Sequence, residues 1–374
     1  MDLSNFRDRI DEIDRDIVRL YEERMSVCEE IARYKIENGM KVFDRVREQE
    51  KLARIKSLTH SDFNARGAQE LFEQLMSISR KYQYRMLSEA GVGGNLPFIA
   101  VDDLQTESVR VVFQGAEGAY SHIATLKAFG ENARAFHVPT FRDAMSAIDE
   151  GSAEYAVLPM ENSTAGIVNE IFDLLTEYEH YIVGEIDIPI EHCLLGVKGA
   201  AMEQIRTVYS HPQSLMQSGK FLADHDWRQI SMPNNAFAAQ KVAKEEDPSQ
   251  AAIASELAAQ IYGLEILQKR INDEGDNTTR FIIVTNQKIF RKDAGKIRIC
   301  FELPHESGSL YHILSHFIYN DLNMTKIESR PVEGRTWEYR FFLEFEGNFA
   351  DGAVRNALRG IRDEARNLKV LGNY

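Results

Sequence analysis

Several things are scarce in this chain, and each scarcity excludes a class of protein. Cysteine is limited to Cys28, Cys193 and Cys300, far apart and without a Cys-x-x-Cys pair. That excludes a disulfide framework and a zinc ribbon and fits a reducing, cytoplasmic setting. Each cysteine reads as a small buried apolar side chain. No apolar run approaches the roughly 18 residues a membrane helix needs. The opening Met1-Asp2-Leu3-Ser4 lacks the basic start and apolar run of a signal peptide, so a cytoplasmic protein without a membrane partner is expected. Positive charge is also short. Lys and Arg number 44 against 58 Asp and Glu, a net charge of −14, which argues against a nucleic-acid partner. Gly115 to Gly118 does not form Gly-x-Gly-x-x-Gly, so no dinucleotide site is expected. His312 and His316 are four apart but lack the Glu of His-Glu-x-x-His, so no metal is expected either. No cofactor is anticipated.

Proline and glycine are unevenly spread. The first proline is Pro97, and before residue 91 the only glycines are Gly39 and Gly67. Residues 1–90 therefore read as all helix, with breaks near those two glycines. A glycine-rich, then acidic stretch over 91–108 reads as a linker. From 109 to 290, short β-rich runs at 109–113, 155–158, 207–209, 251–253 and 281–285 alternate with helical segments. That pattern predicts an α/β domain with mostly parallel strands. Residues 296–374 read as strand, helix, strand, strand, helix, strand, the ferredoxin-like βαββαβ order. At roughly 100–200 residues per domain, 374 residues suit two or three domains.

The first helix carries Phe6, Ile10, Ile13, Ile17, Leu20, Val27 and Ile31 at heptad-like spacing. Position 24 belongs to that stripe yet holds Arg24, and Lys35 shares its face. Cations on an apolar stripe are costly unless something anionic meets them. Arg7 lies too far along the helix to reach the same ligand, and a helix of about 50 Å outruns what 90 residues can cover. Both features predict a partner chain. Further on, Asp44, Arg47 and Glu48 fall within one turn, and Ser79 and Gln83 are an i, i+4 pair.

These residues resemble the all-helical chorismate mutase domain. The resemblance runs through Phe6-Arg7, Glu23-Arg24, Lys35, Asp44 to Glu48, Leu71-Phe72, Ser79 and Gln83. It implies an intertwined helical dimer with Arg7 supplied by the partner. It also implies Lys35, Gln83 and Glu48 as catalytic residues, and Arg7, Arg24, Asp44, Arg47 and Ser79 as substrate-binding ones. The residue types suit a dianion that rearranges without nucleophile or cofactor: arginines for carboxylates, and donors for charge growing on an ether oxygen.

In the α/β region, several turns open helices with small or polar residues. They are Gly115 to Ser121, Glu161-Asn162-Ser163, Ser210-His211-Pro212-Gln213 and Ala254-Ser255-Glu256. Free N–H groups at helix starts favour anions, and in open α/β sheets such turns gather where ligands sit. With Thr279-Arg280-Phe281, four of these motifs resemble, in order, those of the prephenate dehydratase family. That resemblance implies two α/β lobes around a cleft, similar to a solute-binding protein. It assigns the leaving-group donor to Thr279. Arg280 is read as a cation for a carboxylate or for a structural acid, and Glu161 as a local acid or base. Ser121, Asn162, Ser163 and Gln213 are read as binding residues. His211 reads either as a base or as a histidine ordering the turn.

Residues 297–374 resemble the ACT domain, an amino-acid-binding regulatory module. The resemblance rests on Glu306-Ser307-Gly308-Ser309-Leu310 and Glu328-Ser329-Arg330-Pro331. It implies phenylalanine as effector, held at Gly308, Ser309, Leu310, Glu328, Ser329, Arg330 and Pro331. Ser309 departs from the more usual alanine.

The expected protein is therefore a bifunctional enzyme, converting chorismate to prephenate and prephenate to phenylpyruvate, inhibited by phenylalanine, and a homodimer or tetramer. The alternatives are a catalytically silent amino-acid-responsive binding protein and an arogenate-preferring dehydratase. Fusion to a prephenate dehydrogenase is disfavoured by the missing dinucleotide fingerprint. Residues 1–90 hold 17 basic and 18 acidic residues, so the net acidity belongs to the later domains.

Overall fold

The computed structural model describes residues 2–91, 96–306, 308–332, 334–335 and 338–374. Part of the 91–108 segment, and Ser307 of the first ACT-like motif, lie outside them. The chain forms two compact units, one of residues 1–98 with 295–370 and one of 99–294 with 371–374.

The first unit begins with three helices: α1 (Leu3–Glu37), α2 (Arg45–Ser57) and α3 (Asp62–Glu89). α1 ends beside Gly39, whose positive φ reverses the chain. Gly67 does not mark a break. It lies inside α3, and the turn falls instead at residues 58–61, where Ser61 caps α3 by accepting from Asn64 N–H. Asp44 caps α2 in the same way, accepting from Arg47 N–H. Among its described residues α1 buries only Cys28 and Ala32. The apolar stripe from Phe6 to Ile31 stands 43–55% exposed.

The same unit holds the C-terminal segment as far as residue 370, partway along its last strand. Its strands are Lys296–Glu302, Met324–Pro331, Tyr339–Glu346 and Arg366–Asn373, and its helices Ser309–Tyr319 and Gly352–Glu364. Taken in spatial order, the strands run second, third, first, fourth, as the ferredoxin-like arrangement requires. Helix Gly352–Glu364 packs on α3. Tyr84 O–H donates to Asp363 Oδ2 at 2.7 Å, and Lys81 Nζ donates to Ser315 Oγ at 2.7 Å.

The second unit has two sheets. One runs Tyr181–Pro189, Thr278–Thr285, Tyr155–Asn162, Arg110–Gln114, Arg134–Val138; the other Glu265–Gln268, Cys193–Gly196, Gln250–Ala254, Thr207–Ser210, Arg228–Ser231. Each carries its own apolar core, Val111, Val157, Phe281 and Ile283 in one, Leu195, Ala252 and Val242 in the other. Fully burying such a Val, Ile or Phe side chain contributes roughly 1.5–3 kcal/mol. The sheets are mixed rather than mostly parallel: Thr278–Thr285 runs antiparallel to both its neighbours in the first, and Cys193–Gly196 does so in the second. Thr279 and Arg280 lie within this strand, not in a loop before it. Within the 91–108 segment, Ile99–Val101 forms a strand paired in parallel with Ile289–Arg291.

Candidate functional sites

The three N-terminal helices enclose a cavity of about 450 Å³. Its wall includes Arg24, Lys35, Asp44, Arg47, Glu48, Ser79 and Gln83, with an apolar floor of Leu20, Val27, Ile31 and Met76. Seven of the eight residues expected from the sequence thus meet at one place, drawn from all three helices. Five cations (Arg24, Lys35, Arg47, Lys51, Arg80) face three carboxylates (Glu23, Asp44, Glu48), a positive lining in an acidic chain. Arg24 Nη1 donates to Leu75 O at 3.0 Å and to Ser79 Oγ, while Lys35 Nζ donates to Val42 O at 2.7 Å. Burial lowers the Lys35 pKa, opposed by Asp44 and Glu48. Burial and the neighbouring Arg24 and Arg47 lower that of Lys51. Gln83 Oε1 is buried without a hydrogen-bond partner. A buried amide oxygen left so is costly unless a ligand or water meets it. Arg7 is exposed and seventeen residues from Arg24 on the same helix, about 25 Å along the axis.

Sequence reasoning missed Arg80, which is 7% exposed. Its Nη1 donates to both oxygens of Glu48, to Oε1 at 2.5 Å, and its Nε donates to Glu364 Oε1 at 3.0 Å. The guanidinium also lies 4.9 Å from the centre of the Phe43 ring. Burial works against its charge, but Glu364 and Glu48 outweigh that and raise its pKa. The available signal was spacing: Arg80 precedes Gln83 by three and so shares its face.

A second cavity, about 270 Å³, opens between the two lobes of the α/β unit. Ser121, Asn162, Gln213 and Thr279 line it, as do His211, Tyr120, His192, Gln217, Asn234, Asn235 and Phe281. None of its lining residues is Lys, Arg, Asp or Glu. An anion here would be met by N–H groups and by the starts of helices Tyr120–Phe129 and Asn235–Glu245.

The centre of the site is Asn162. Its Oδ1 accepts from Thr164 N–H (3.1 Å), Ala165 N–H (2.8 Å) and Thr164 O–H (2.8 Å). Its Nδ2 donates to Thr279 Oγ1 (2.8 Å), Asn277 Oδ1 (2.7 Å) and Thr278 O (3.3 Å). Thr279 is 9% exposed and receives that bond on its oxygen, which leaves its own O–H to donate.

Three expected residues lie off the wall of this cavity. Side chains alternate along a strand, so Thr279 and Phe281 face the cavity while Arg280, between them, does not. Arg280 Nε donates to Asp187 Oδ1 at 3.2 Å and sits 3.6 Å from Glu185. Glu161 alternates with Asn162 in the same manner and pairs in register with Arg280. Ser163 secures the turn, accepting on Oγ from Thr278 N–H at 3.0 Å. His211 caps helix Pro212–Gln217, with Nδ1 accepting from Gln213 N–H at 3.2 Å, and burial lowers its pKa. No cluster of metal-ligating side chains is found among the described residues.

In the C-terminal segment, Gly308 takes φ +82° and opens helix Ser309–Tyr319. Ser309 lines a cavity of about 210 Å³ with Phe43, Glu306, His312 and Glu364, while Leu310 follows it in the first helical turn. Glu328, Ser329, Arg330 and Pro331 end the edge strand Met324–Pro331.

A helical cavity rich in cations and an uncharged cleft between two α/β lobes define a chain with two separate sites for small anionic molecules. Residues 6–84 match the family described as chorismate mutase type II, and residues 111–289 match prephenate dehydratase. A bifunctional chorismate mutase/prephenate dehydratase of Buchnera aphidicola (subspecies Schizaphis graminum) is 32% identical over 380 residues, spanning 100% of this chain and 96% of that protein. Among solved structures, prephenate dehydratase from Arthrobacter aurescens in complex with L-Phe is similar at 28% identity and TM-score 0.65, over 71% of this chain and 89% of that one. GqqA, described as a novel type of quorum quenching acylase, is similar at 31% identity and TM-score 0.64, over 70% of this chain and 96% of that one. The chain belongs to the bifunctional chorismate mutase/prephenate dehydratase family.

Proposed function

We propose that the helical cavity converts chorismate to prephenate and that the interlobe cavity converts prephenate to phenylpyruvate. In the first, one ether C–O bond breaks as a C–C bond forms, and no proton moves. The cavity has only to hold the folded conformer and stabilise charge on the breaking oxygen. Arg24 and Arg47 take carboxylates, Lys35 and Gln83 face the ether oxygen, and Glu48, beside Asp44, accepts from the ring hydroxyl. Arg7 completes the site from a second copy of the chain, whose α1 covers the exposed stripe. The observation that carries this reading is the convergence of seven residues from three helices on one cavity lined by five cations.

In the second reaction the C–C bond to the ring carboxylate breaks and its electron pair enters the ring. The ring C–O bond breaks as the departing hydroxyl takes a proton. Carbon dioxide, water and phenylpyruvate result. Thr279 is the donor to that hydroxyl, Asn162 sets its direction, and Ser121 and Gln213 bind substrate. Arg280, Glu161 and Ser163 support the strand pair and turn behind them.

The C-terminal segment acts as an ACT-type regulatory domain that takes phenylalanine at Gly308 to Leu310 and Glu328 to Pro331, and inhibition of dehydration follows. Its ferredoxin-like strand order supports this, as does the L-Phe bound to the Arthrobacter relative. A single assay from chorismate tests all three parts, following prephenate and phenylpyruvate separately with and without millimolar phenylalanine. Lys35→Ala is expected to lower mutase kcat by about three orders of magnitude while sparing dehydration of added prephenate. Equal turnover with and without phenylalanine refutes the regulatory part alone. Running arogenate against prephenate settles the preferred substrate.

A further inference from the structure

Around Asn162 the hydrogen bonds continue in both directions, and their polarity can be worked out from the backbone. Two main-chain N–H groups, of Thr164 and Ala165, point at Asn162 Oδ1, so that atom is the amide oxygen and Nδ2 faces Thr279. Thr164 Oγ1 lies 2.8 Å from the same oxygen and must donate its only proton there. It therefore accepts from Gln217 Nε2, 2.7 Å away. Gln217 then turns its oxygen to His192 Nε2 at 3.1 Å, which must carry the ring proton. His192 Nδ1 is left as an acceptor, 2.9 Å from the Tyr120 hydroxyl. That hydroxyl is also 2.9 Å from Glu191 O, an acceptor that can share its proton. Burial depresses the His192 pKa to about 4, so the ring is neutral at pH 7 as this assignment requires.

We infer that Tyr120, His192, Gln217, Thr164, Asn162 and Thr279 form one hydrogen-bond chain in which every proton points the same way, ending on the Thr279 O–H aimed into the cavity. This rests on Thr279 being the leaving-group donor. Each link accepts from the one before it and donates to the next, so each strengthens the next bond as a donor. The last bond polarises a hydroxyl that is by itself a very weak acid. The chain also crosses the cleft. Tyr120, Thr164, Asn162 and Thr279 belong to the first lobe, Gln217 to the second, and His192 lies at the crossing between them. The second lobe thereby completes the donor on the first. His192, Gln217 and Thr164 are positioning residues for dehydration, in addition to the groups that touch substrate.

Two independent measurements test this on the full-length chain. The first is the His192 tautomer by ¹⁵N NMR: an Nε2–H ring is expected, and an Nδ1–H ring overturns the polarity. The second is kinetic, with added prephenate. Thr164→Val keeps the main-chain N–H bonds to Asn162 but removes one link, and is expected to lower kcat about tenfold with KM within twofold. Thr164→Ser restores most of the rate. Gln217→Glu puts two acceptor oxygens in the middle, reversing Thr164, and is expected to act as Thr164→Val does. In a Thr279→Val background neither change has a further effect on the residual rate. Mutase turnover of the same preparations reports on folding. A Thr164→Val kcat within twofold of the parent, or an undiminished effect in the Thr279→Val background, overturns the inference. If Thr279→Val itself leaves dehydration intact, the donor assignment falls first.

Discussion

Thr279→Val is the most direct perturbation of the interlobe site, because it replaces one hydroxyl by a methyl of similar shape. Asn162 Nδ2 loses its 2.8 Å acceptor but keeps Asn277 Oδ1 at 2.7 Å and Thr278 O at 3.3 Å. The stability cost should therefore stay near that of one ordinary hydrogen bond, about 1 kcal/mol. The rate cost should be much larger. A fixed donor aimed at developing charge is worth about 10²–10³ in kcat, or roughly 3–4 kcal/mol of barrier. The bond gains its strength as the leaving oxygen gains charge, so kcat should fall and KM should change little. Asn162→Asp makes the complementary test. It replaces the donor facing Thr279 Oγ1 with a carboxylate oxygen, and the threonine proton then has a strong acceptor inside the protein. The hydroxyl turns inward, and dehydration should fall at least as far as in Thr279→Val although Thr279 is intact. The assay is phenylpyruvate formation from added prephenate, with mutase turnover of the same sample as the control. Thr279→Val retaining more than a tenth of the parent rate, or Asn162→Asp behaving as the parent, would refute the donor role.

Other consequences are equally open to measurement. Arg80→Met leaves the Glu48 carboxylate without the nitrogen that bridges both its oxygens. Mutase kcat/KM should fall about tenfold, about the worth of one charge-assisted hydrogen bond, while Arg80→Lys recovers part of the loss and dehydration is unchanged. Unaltered mutase kinetics in Arg80→Met would dismiss Arg80 as a purely structural residue. His192 is held neutral by burial, its pKa about 4 against an ordinary 6.5. The unfolded chain thus binds more protons between these values, and stability rises with pH across that window and is lost on acidification. Lowering pH from 7 to 5 should cost about 2 kcal/mol through this group, and His192→Gln should remove that slope; parallel pH profiles for the two proteins would contradict it. The exposed stripe on α1 should bury against a second copy, so Ile13→Asp with Ile17→Asp should yield monomers by sedimentation and abolish mutase turnover. Monomers that keep full mutase activity would count against a site completed by Arg7 of a second chain.

Contiguous residues settled a good deal of this protein. Helix and strand periods lie in neighbouring side chains, so the three-helix start, the strand run at 155–158 and the βαββαβ order at the end were legible without coordinates. So were Arg24 and Lys35, because two cations on an apolar stripe are conspicuous at helical spacing. Asn162 and Thr279 were singled out through motifs that resemble the prephenate dehydratase family, although their hydrogen bond joins residues 117 apart. Only the fold decided which side chains face the cavities. Arg280 and Glu161 sit next to cavity residues in the chain, yet strand alternation turns them to paired acids and a neighbouring strand. Ile99–Val101 became a strand because its partner, Ile289–Arg291, lies 190 residues away, and no local pattern carries such a pairing. The same holds for Arg80, whose second carboxylate, Glu364, is 284 residues distant, and for His192, whose tautomer is dictated by Gln217 and Tyr120. Local periodicity is imposed by backbone geometry within a few residues. The polarity of a buried hydrogen-bond chain is imposed by whichever groups tertiary packing brings within 3 Å.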